Sequence, residues 1–127
     1  MPELFTHYSS FRGEWPWENF TPQEVACKHC GELWYDMEAM DALQLLRETW
    51  KRPITITSGH RCPSHNAHVG GTANSQHLRI AFDCVCLHKD QAAFIDAAKT
   101  AGFTGIGQYA SRNFVHLDLG LKRTWRG

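Results

Sequence analysis

The sequence predicts an α+β domain in which helices pack against a small, mainly antiparallel sheet. Two segments carry apolar residues at helical spacing, and several short segments alternate branched or apolar residues with polar ones, as strands do. The length of 127 residues and the hydrophobic content of 43% suit one domain around one core. We therefore interpret residues 1–127 as one domain, in which residues 1–20 form an irregular N-terminal arm.

Two helices are predicted by clear boundary signals in the first half of the chain. Residues 21–24 (TPQE) combine a capping threonine, a proline at the first helical position and a glutamate three residues after the cap, so they begin a short helix. The main amphipathic helix is predicted from Met37 to Trp50. A third helix is predicted with Asp90 as its cap and with Gly102 ending it in the left-handed conformation.

Strands are predicted on both sides of the third helix. Residues 54–57 (ITIT) alternate branched side chains, and residues 80–86 place Phe, Cys and Ile on one face. A loop rich in Gly, Ser, Asn and His joins them over residues 58–77. Residues 105–109 and 114–119 are predicted to form an antiparallel hairpin, because the turn-like Ser-Arg-Asn stands between them.

Charge, hydropathy and cysteine content exclude several classes of protein. Thirteen basic residues balance 13 acidic ones, so no net field attracts nucleic acid or an anionic membrane. No window approaches the roughly 18 apolar residues that would span a bilayer, and the N-terminus lacks a leader pattern. We expect a monomer made in the cytoplasm, without membrane insertion or a nucleic-acid partner. Five irregularly spaced cysteines predict reduced thiols rather than a disulfide framework.

Four polar residues indicate a site. His116 and Asp118 share one face of the strand predicted over residues 114–119. His77 lies in the loop just before the strand that carries Asp83, whose charge would be costly to bury unpaired. Two imidazoles and one carboxylate, from His77, Asp83 and His116, suit a catalytic zinc ion that keeps its fourth position open for water.

Five stretches of the chain resemble the M15 peptidases. These include D-alanyl-D-alanine carboxypeptidases and phage L-alanyl-D-glutamate endopeptidases, which share a metal-site fold with the hedgehog signalling domain. The resemblance runs from about residue 20 to residue 120 and implies zinc bound by His77, Asp83 and His116. The stretches are residues 56–66 (ITSGHRCPSHN), 69–71 (VGG), 74–79 (NSQHLR), 81–83 (AFD) and 114–120 (FVHLDLG).

The chain departs from the family pattern in two places. The interval between His77 and Asp83 is one residue shorter than usual because a glycine is missing, so either the turn is tighter or His77 is moved off the metal. Asn113 stands where many relatives carry an acidic residue, and an amide cannot accept a proton from water. Asp118 is the nearest replacement, either as the general base or as the partner that orients His116.

The resemblance also suggests residues that bind the substrate. Arg61 lies in a Ser-Gly-x-Arg loop that in relatives lies at the mouth of the site. Its guanidinium is expected to clamp a substrate carboxylate or to hold the loop through a backbone carbonyl. Ser75 and Gln76 are expected to position the loop or bind the peptide backbone. Tyr109 is expected to donate to an oxyanion or to form part of the rim.

The remaining cysteines and histidines receive no role in catalysis. Cys27 and Cys30 form a C-x-x-C pair, but a structural zinc would need two further ligands, and no second pair follows at zinc-finger spacing. His60, His65 and His68 are expected to be loop histidines. The sequence therefore predicts one zinc ion, the catalytic one.

The resemblance implies hydrolysis of an amide bond in a peptidoglycan stem peptide, by a carboxypeptidase or by an endopeptidase of the endolysin type. Asp118 would accept the proton of the attacking water, while the metal and Arg61 or Tyr109 stabilise the oxyanion. The alternative is a catalytically impaired, zinc-containing module of the same fold that binds cell wall or peptide. The missing glycine and Asn113 favour that alternative.

Overall fold

The computed structural model describes residues 2–127, which form four α-helices and two β-sheets. Within this range no helix combines the length and the apolar character needed to cross a membrane. Short 3₁₀ turns lie at Tyr8–Ser10 and Gln76–Leu78. The strands are β1 (Glu3–Phe5), β2 (Leu33–Tyr35), β3 (Ile56–Ser58), β4 (Phe82–Val85), β5 (Gly105–Tyr109), β6 (Phe114–Asp118) and β7 (Arg123–Arg126), and the helices are α1 (Pro22–Val25), α2 (Met37–Trp50), α3 (Pro63–His68) and α4 (His88–Ala101).

The first two helices follow their predicted start signals. At α1 the hydroxyl of Thr21 accepts a hydrogen bond from the amide of Glu24 (3.2 Å), and the Glu24 carboxylate accepts one from the Thr21 amide (2.9 Å). Helix α2 has the predicted bounds, and Asp36 caps it by accepting from the amide of Ala39 at 3.1 Å. These local bonds satisfy amides that the helix itself leaves without partners.

Helix α4 begins two residues earlier than its predicted cap. Asp90 lies in the first turn rather than at the N-cap, where its charge still favours the positive end of the helix. The amide of His88 donates instead to Oδ1 of Asn113, at 3.2 Å, in the turn between β5 and β6. Gly102 ends the helix with φ of +108°, as predicted.

The larger sheet has the order β3-β4-β6-β5-β7. Its pairs are antiparallel, as predicted, except that β7 runs parallel to β5. The sequence did not predict β7, because residues 123–126 (RTWR) are exposed or half-buried on both faces and show no alternation. The N-terminal arm, predicted to be irregular, contributes β1, which pairs with β2. The predicted loop over residues 58–77 contains α3.

The core lies on one side of the larger sheet. Phe82 and Cys84 of β4 and Val115 and Leu117 of β6 point to this side and are at most 1% exposed. Helices α2 and α4 cover them with apolar residues such as Phe94, which is 1% exposed. Burying a side chain of this size contributes about 1.5–3 kcal/mol. Because side chains alternate along a strand, the polar residues of β4 and β6 project from the other side of the sheet.

Candidate metal centre

Strand register brings Asp83 and His116 together. They are directly opposite one another across β4 and β6, so their side chains leave the same face of the sheet a few ångströms apart. The Nδ1 atom of His116 lies 3.1 Å from Oδ1 of Asp83. Both residues are buried, with 8% and 9% of their surface exposed. His116 and Asp83 are both predicted metal ligands, and they lie close enough together to bind the same ion.

His77 reaches the same carboxylate from the 3₁₀ turn at Gln76–Leu78. Ser75 caps this turn, and its hydroxyl accepts from the amide of His77 at 3.1 Å. The Nε2 atom of His77 then lies 3.2 Å from Oδ1 of Asp83. One donor atom from each of His77, Asp83 and His116 therefore lies within 4.8 Å of the others.

These donors fit a zinc ion. Zinc binds imidazole nitrogen and carboxylate oxygen at about 2.0–2.2 Å, which in a tetrahedral site places neighbouring donors about 3.3 Å apart. The two measured separations from Asp83 Oδ1, 3.2 Å to His77 and 3.1 Å to His116, are close to that value. Three protein ligands also leave one position open, as hydrolytic zinc sites do.

Both imidazoles are fixed by hydrogen bonds at the nitrogen that faces away from Asp83. Nδ1 of His77 donates to the carbonyl oxygen of Gly59 at 2.7 Å, which leaves Nε2 free of a proton in the neutral ring. Nε2 of His116 lies 2.7 Å from Oδ2 of Asp118. Metal-binding histidines are oriented by such partners in most known sites.

The Asp118 carboxylate lies on the side of the His116 ring opposite Asp83. It is therefore not on the side where the three candidate metal-binding atoms converge. The Asp118 side chain is fully buried, and its Oδ1 accepts from the amide of Gly120 at 2.8 Å. Gly105 is its neighbour across the sheet, where an added Cβ would lie 2.0 Å from Asp118 Oδ1. This position favours the orienting role over that of a base, and the choice between them remains a prediction to be tested.

The acidic groups of the site are held in their charged form. Burial would raise the pKa of Asp83, but in the metal-free protein the adjacent imidazoles of His116 and His77 outweigh it and hold that pKa well below its usual range. Burial likewise opposes ionisation of Asp118, yet His116 and the Gly120 amide lower its pKa. For His116, burial would lower the pKa, and the two carboxylates, Asp118 first, raise it. The negative charge of these carboxylates therefore favours binding of a cation at the site.

A tight turn at Arg79 lies between His77 and Asp83, in the interval that the family resemblance predicts to be one residue short. Arg79 adopts φ of −105° and ψ of −107°, an uncommon combination. Its carbonyl accepts a hydrogen bond from Nδ1 of His60, whose Nε2 lies 2.7 Å from Oε1 of Glu32. His60, predicted to be a loop histidine rather than a ligand, is 2% exposed and holds this turn in place. The turn keeps His77 within reach of Asp83.

The three donors open onto a cavity of 520 Å³. Arg61, Arg112 and Arg123 all line it, so three guanidinium groups border the same cavity as His77, Asp83 and His116. Of the described residues in the lining, only Asp83 carries a carboxylate. The cavity is therefore suited to a ligand with carboxylate groups of its own.

Arg61 contacts the site directly. Its Nε donates to Oγ of Ser58 (3.1 Å) and its Nη1 to Oδ1 of Asn66 (3.3 Å), while Nη2 lies 3.5 Å from Oδ2 of Asp83. These partners are side chains, whereas the sequence suggested a backbone carbonyl as one alternative. The guanidinium lines the cavity and holds its loop at the same time.

The other residues predicted to bind substrate also line the cavity. Ser75 and Gln76 border it beside His77, and Ser75 serves at the same time as the cap described above. Tyr109 stacks on Phe114, with ring centres 4.3 Å apart. Its hydroxyl accepts a hydrogen bond, so its own proton remains available to another group.

The donor to the Tyr109 hydroxyl is Trp125, which sequence reasoning missed. Nε1 of Trp125 lies 2.9 Å from that oxygen, and the indole lies 5.1 Å from the imidazole of His116. Gly107 separates the two rings in the sheet register, and a Cβ there would come within 2.4 Å of the indole. The only signal for this contact in the sequence is the glycine opposite His116. That signal can be interpreted only when the parallel pairing of β7 with β5 is known.

The sequence model of the peptidase M15 family matches residues 18–118. This range covers most of the chain and includes His77, Asp83 and His116. The fold is compatible with this family, whose members are zinc-dependent in general, and His77, Asp83 and His116 are a candidate ligand group. The chain belongs to the M15 peptidase family. No curated protein matches the chain.

Proposed function

We propose that the protein hydrolyses an amide bond in peptidoglycan stem peptides, using one zinc ion held by His77, Asp83 and His116. The observation that carries the proposal is the convergence of these donors at a cavity lined by three arginines. Family membership implies a peptide substrate, and stem peptides are rich in carboxylates. We further propose that the protein reaches the cell wall through release of the phage-lysis type.

The chain supplies binding and orientation for this reaction. Zinc, when bound, polarises the scissile carbonyl and activates a water molecule. Arg61 is fixed beside Asp83 and is placed to bind a substrate carboxylate or the developing oxyanion. Trp125 packs beside the ring of His116 and lines the same cavity. Asp118 holds His116 with its Nδ1 towards the donors.

A binding module of the same fold is the second candidate, and one observation favours it. Among the described residues of the cavity no carboxylate other than Asp83 is available as a base. The side chain of Asn113, at the position where the resemblance implies an acid in many relatives, accepts from the amide of His88 and does not line the cavity. Such a protein would bind zinc and peptide without cutting it.

Mass spectrometry of peptidoglycan after incubation with the zinc-loaded protein tests the proposal. Loss of a terminal D-alanine would identify a carboxypeptidase, and a new L-alanine carboxyl terminus would identify an endopeptidase. The matched control is His116→Ala, which should release nothing. If the protein sediments with cell walls and the peptidoglycan shows no new termini, the result would favour the binding module over the hydrolase.

A further inference from the structure

A second group of possible metal ligands lies beside the loop that carries Arg61. Cys27 and Cys30 come from the C-x-x-C segment after α1, and Cys62 directly precedes α3. The three sulfur atoms lie within 4.8 Å of one another, and none of these cysteines is in a disulfide. The sequence showed only the first pair, because the third cysteine follows at no zinc-finger spacing.

The spacing of the sulfur atoms suits a zinc ion. Thiolates bind zinc at about 2.3 Å, so in a tetrahedral site they lie about 3.8 Å apart. Three sulfur atoms within 4.8 Å need only a small contraction to reach that separation. A disulfide would satisfy two of them at most and would leave the third unpaired.

Backbone amides around the group donate towards sulfur. The amide of Cys62 donates to Sγ of Cys27 at 3.5 Å, and the amide of His65 donates to Sγ of Cys62 at 3.4 Å. Hydrogen bonds of this kind favour the charged thiolate, which is the form that binds metals. The neutral thiol gains less from them, so the backbone favours thiolates at Cys27 and Cys62.

A backbone hydrogen bond closes the turn after Cys27, and this turn places Cys27 and Cys30 on the same side. The amide of Gly31 donates to the carbonyl of Cys27 at 2.8 Å, and Gly31 has φ of +79°. The positive φ favours glycine, and a Cβ at this position would also lie 2.5 Å from the ring of His7. The turn is therefore determined by specific contacts rather than left open.

Two imidazoles stand at the remaining side of the group. Nδ1 of His29 lies 3.9 Å from Sγ of Cys62, and the rings of His29 and His65 are stacked with centres 5.6 Å apart. Three cysteines and one histidine are a common ligand set of structural zinc sites. His29, which contacts Cys62, and His65, which stacks on His29, are the candidates for the fourth ligand.

We propose that Cys27, Cys30 and Cys62, with one imidazole of the His29–His65 pair, hold a second zinc ion with a structural role. The ion would join the segment after α1 to the loop of Arg61, which is the residue directly before Cys62. It would thereby stabilise one wall of the cavity without touching the substrate. This site does not depend on the proposed hydrolase activity.

Zinc content tests this proposal, in protein purified under reducing conditions with zinc supplied. The wild-type chain should hold two zinc ions, and Cys30→Ser should hold one, because Cys30 is exposed and its replacement spares the core. His116→Ala should also hold one. Cys86→Ser, which removes a thiol outside the group, is the matched control and should hold two. Thermal unfolding of each variant verifies that it is folded.

Cobalt substitution identifies which site is lost. The absorption band from sulfur-to-cobalt charge transfer should persist in His116→Ala and disappear in Cys30→Ser. If the catalytic centre alone fails to hold metal, the wild type will hold one ion and keep this band, and the cysteine site will stand. Equal zinc content in the wild type and Cys30→Ser, or a wild-type cobalt protein without the band, would overturn the second site. Unchanged zinc affinity of the double variant His29→Ala/His65→Ala would show that neither imidazole is a ligand of the second zinc site.

Discussion

The Nε2 atom of His116 lies 2.7 Å from Oδ2 of Asp118, on the side of the ring opposite the nitrogen that faces Asp83. The two residues are separated by one position in β6, so the alternation of the strand places both on the same face. The contact determines which nitrogen of His116 is free for a metal. It also places the Asp118 carboxylate out of direct reach of a group in front of the donors.

Asp118→Asn should therefore lower zinc affinity. Outer partners of metal-bound histidines contribute about 10–100-fold in affinity or activity, and excess zinc should restore most of the rate. The measurement is kcat together with bound zinc, with and without added metal. A loss of about 10²–10⁴ in kcat at full zinc occupancy would instead identify Asp118 as the general base.

His77→Ala and His116→Ala should each abolish zinc retention at the catalytic centre while the fold remains. Each variant removes one of three predicted ligands, and neither side chain belongs to the apolar core, because His116 projects from the other face of the sheet and His77 from the 3₁₀ turn. Zinc content after dialysis and the circular dichroism spectrum provide the two readouts. Full retention of zinc at this centre in either variant would show that the ligand set is different.

Arg61→Lys should raise KM for a stem peptide more than it lowers kcat. Lysine keeps the charge but loses the planar fork that contacts Ser58 and Asn66 and binds a carboxylate with two hydrogen bonds. Steady-state kinetics on a defined stem peptide measure the effect, and zinc content controls for the contact with Asp83. A wild-type KM would remove the clamp from the proposed mechanism.

The metal-free protein should lose stability as the pH rises through the neutral range. The carboxylates raise the pKa of His116 in the folded state, so its contribution is complete below its unfolded pKa of about 6.5. That contribution is lost as the pH rises through the higher folded pKa. Zinc requires the neutral ring, so the stabilisation by zinc should increase over the same range.

Denaturant unfolding at a series of pH values, with chelator and then with zinc, measures both slopes. The matched variant is His116→Gln, in which the decrease for the metal-free protein should become smaller. An identical decrease in this variant would assign the pH dependence to another group.

His60→Ala should destabilise the protein although His60 is not a predicted ligand. The substitution leaves the carbonyl of Arg79 and the carboxylate of Glu32 without their partner, and a buried group left unsatisfied costs about 1–3 kcal/mol. Denaturant unfolding of the zinc-free protein measures the cost. The exposed His68 gives the control, since His68→Ala should change the free energy of unfolding very little. Equal stabilities of the two variants would contradict the role given to His60.

Local signals in the sequence predicted much of the fold. The bounds of α2, the cap of α1 and the glycine that ends α4 depend on neighbouring residues, so they were readable. Strand β7 and the pairing of β1 with β2 depend on partners distant in the chain, and their local sequences show no alternation of apolar and polar residues. The start of α4 was misplaced for the same reason, since its amide partner is Asn113.

The sequence by itself determined that His116 and Asp118 share a face of one strand and that Asp83 interrupts an apolar one, because alternation is a local property of the backbone. Only the tertiary structure decided that His77 reaches Asp83 across a shortened turn, which His60 holds from another part of the chain. The position of Cys62 beside the C-x-x-C pair was likewise decided by folding. Convergence of distant segments depends on packing and register, which no single stretch of sequence specifies.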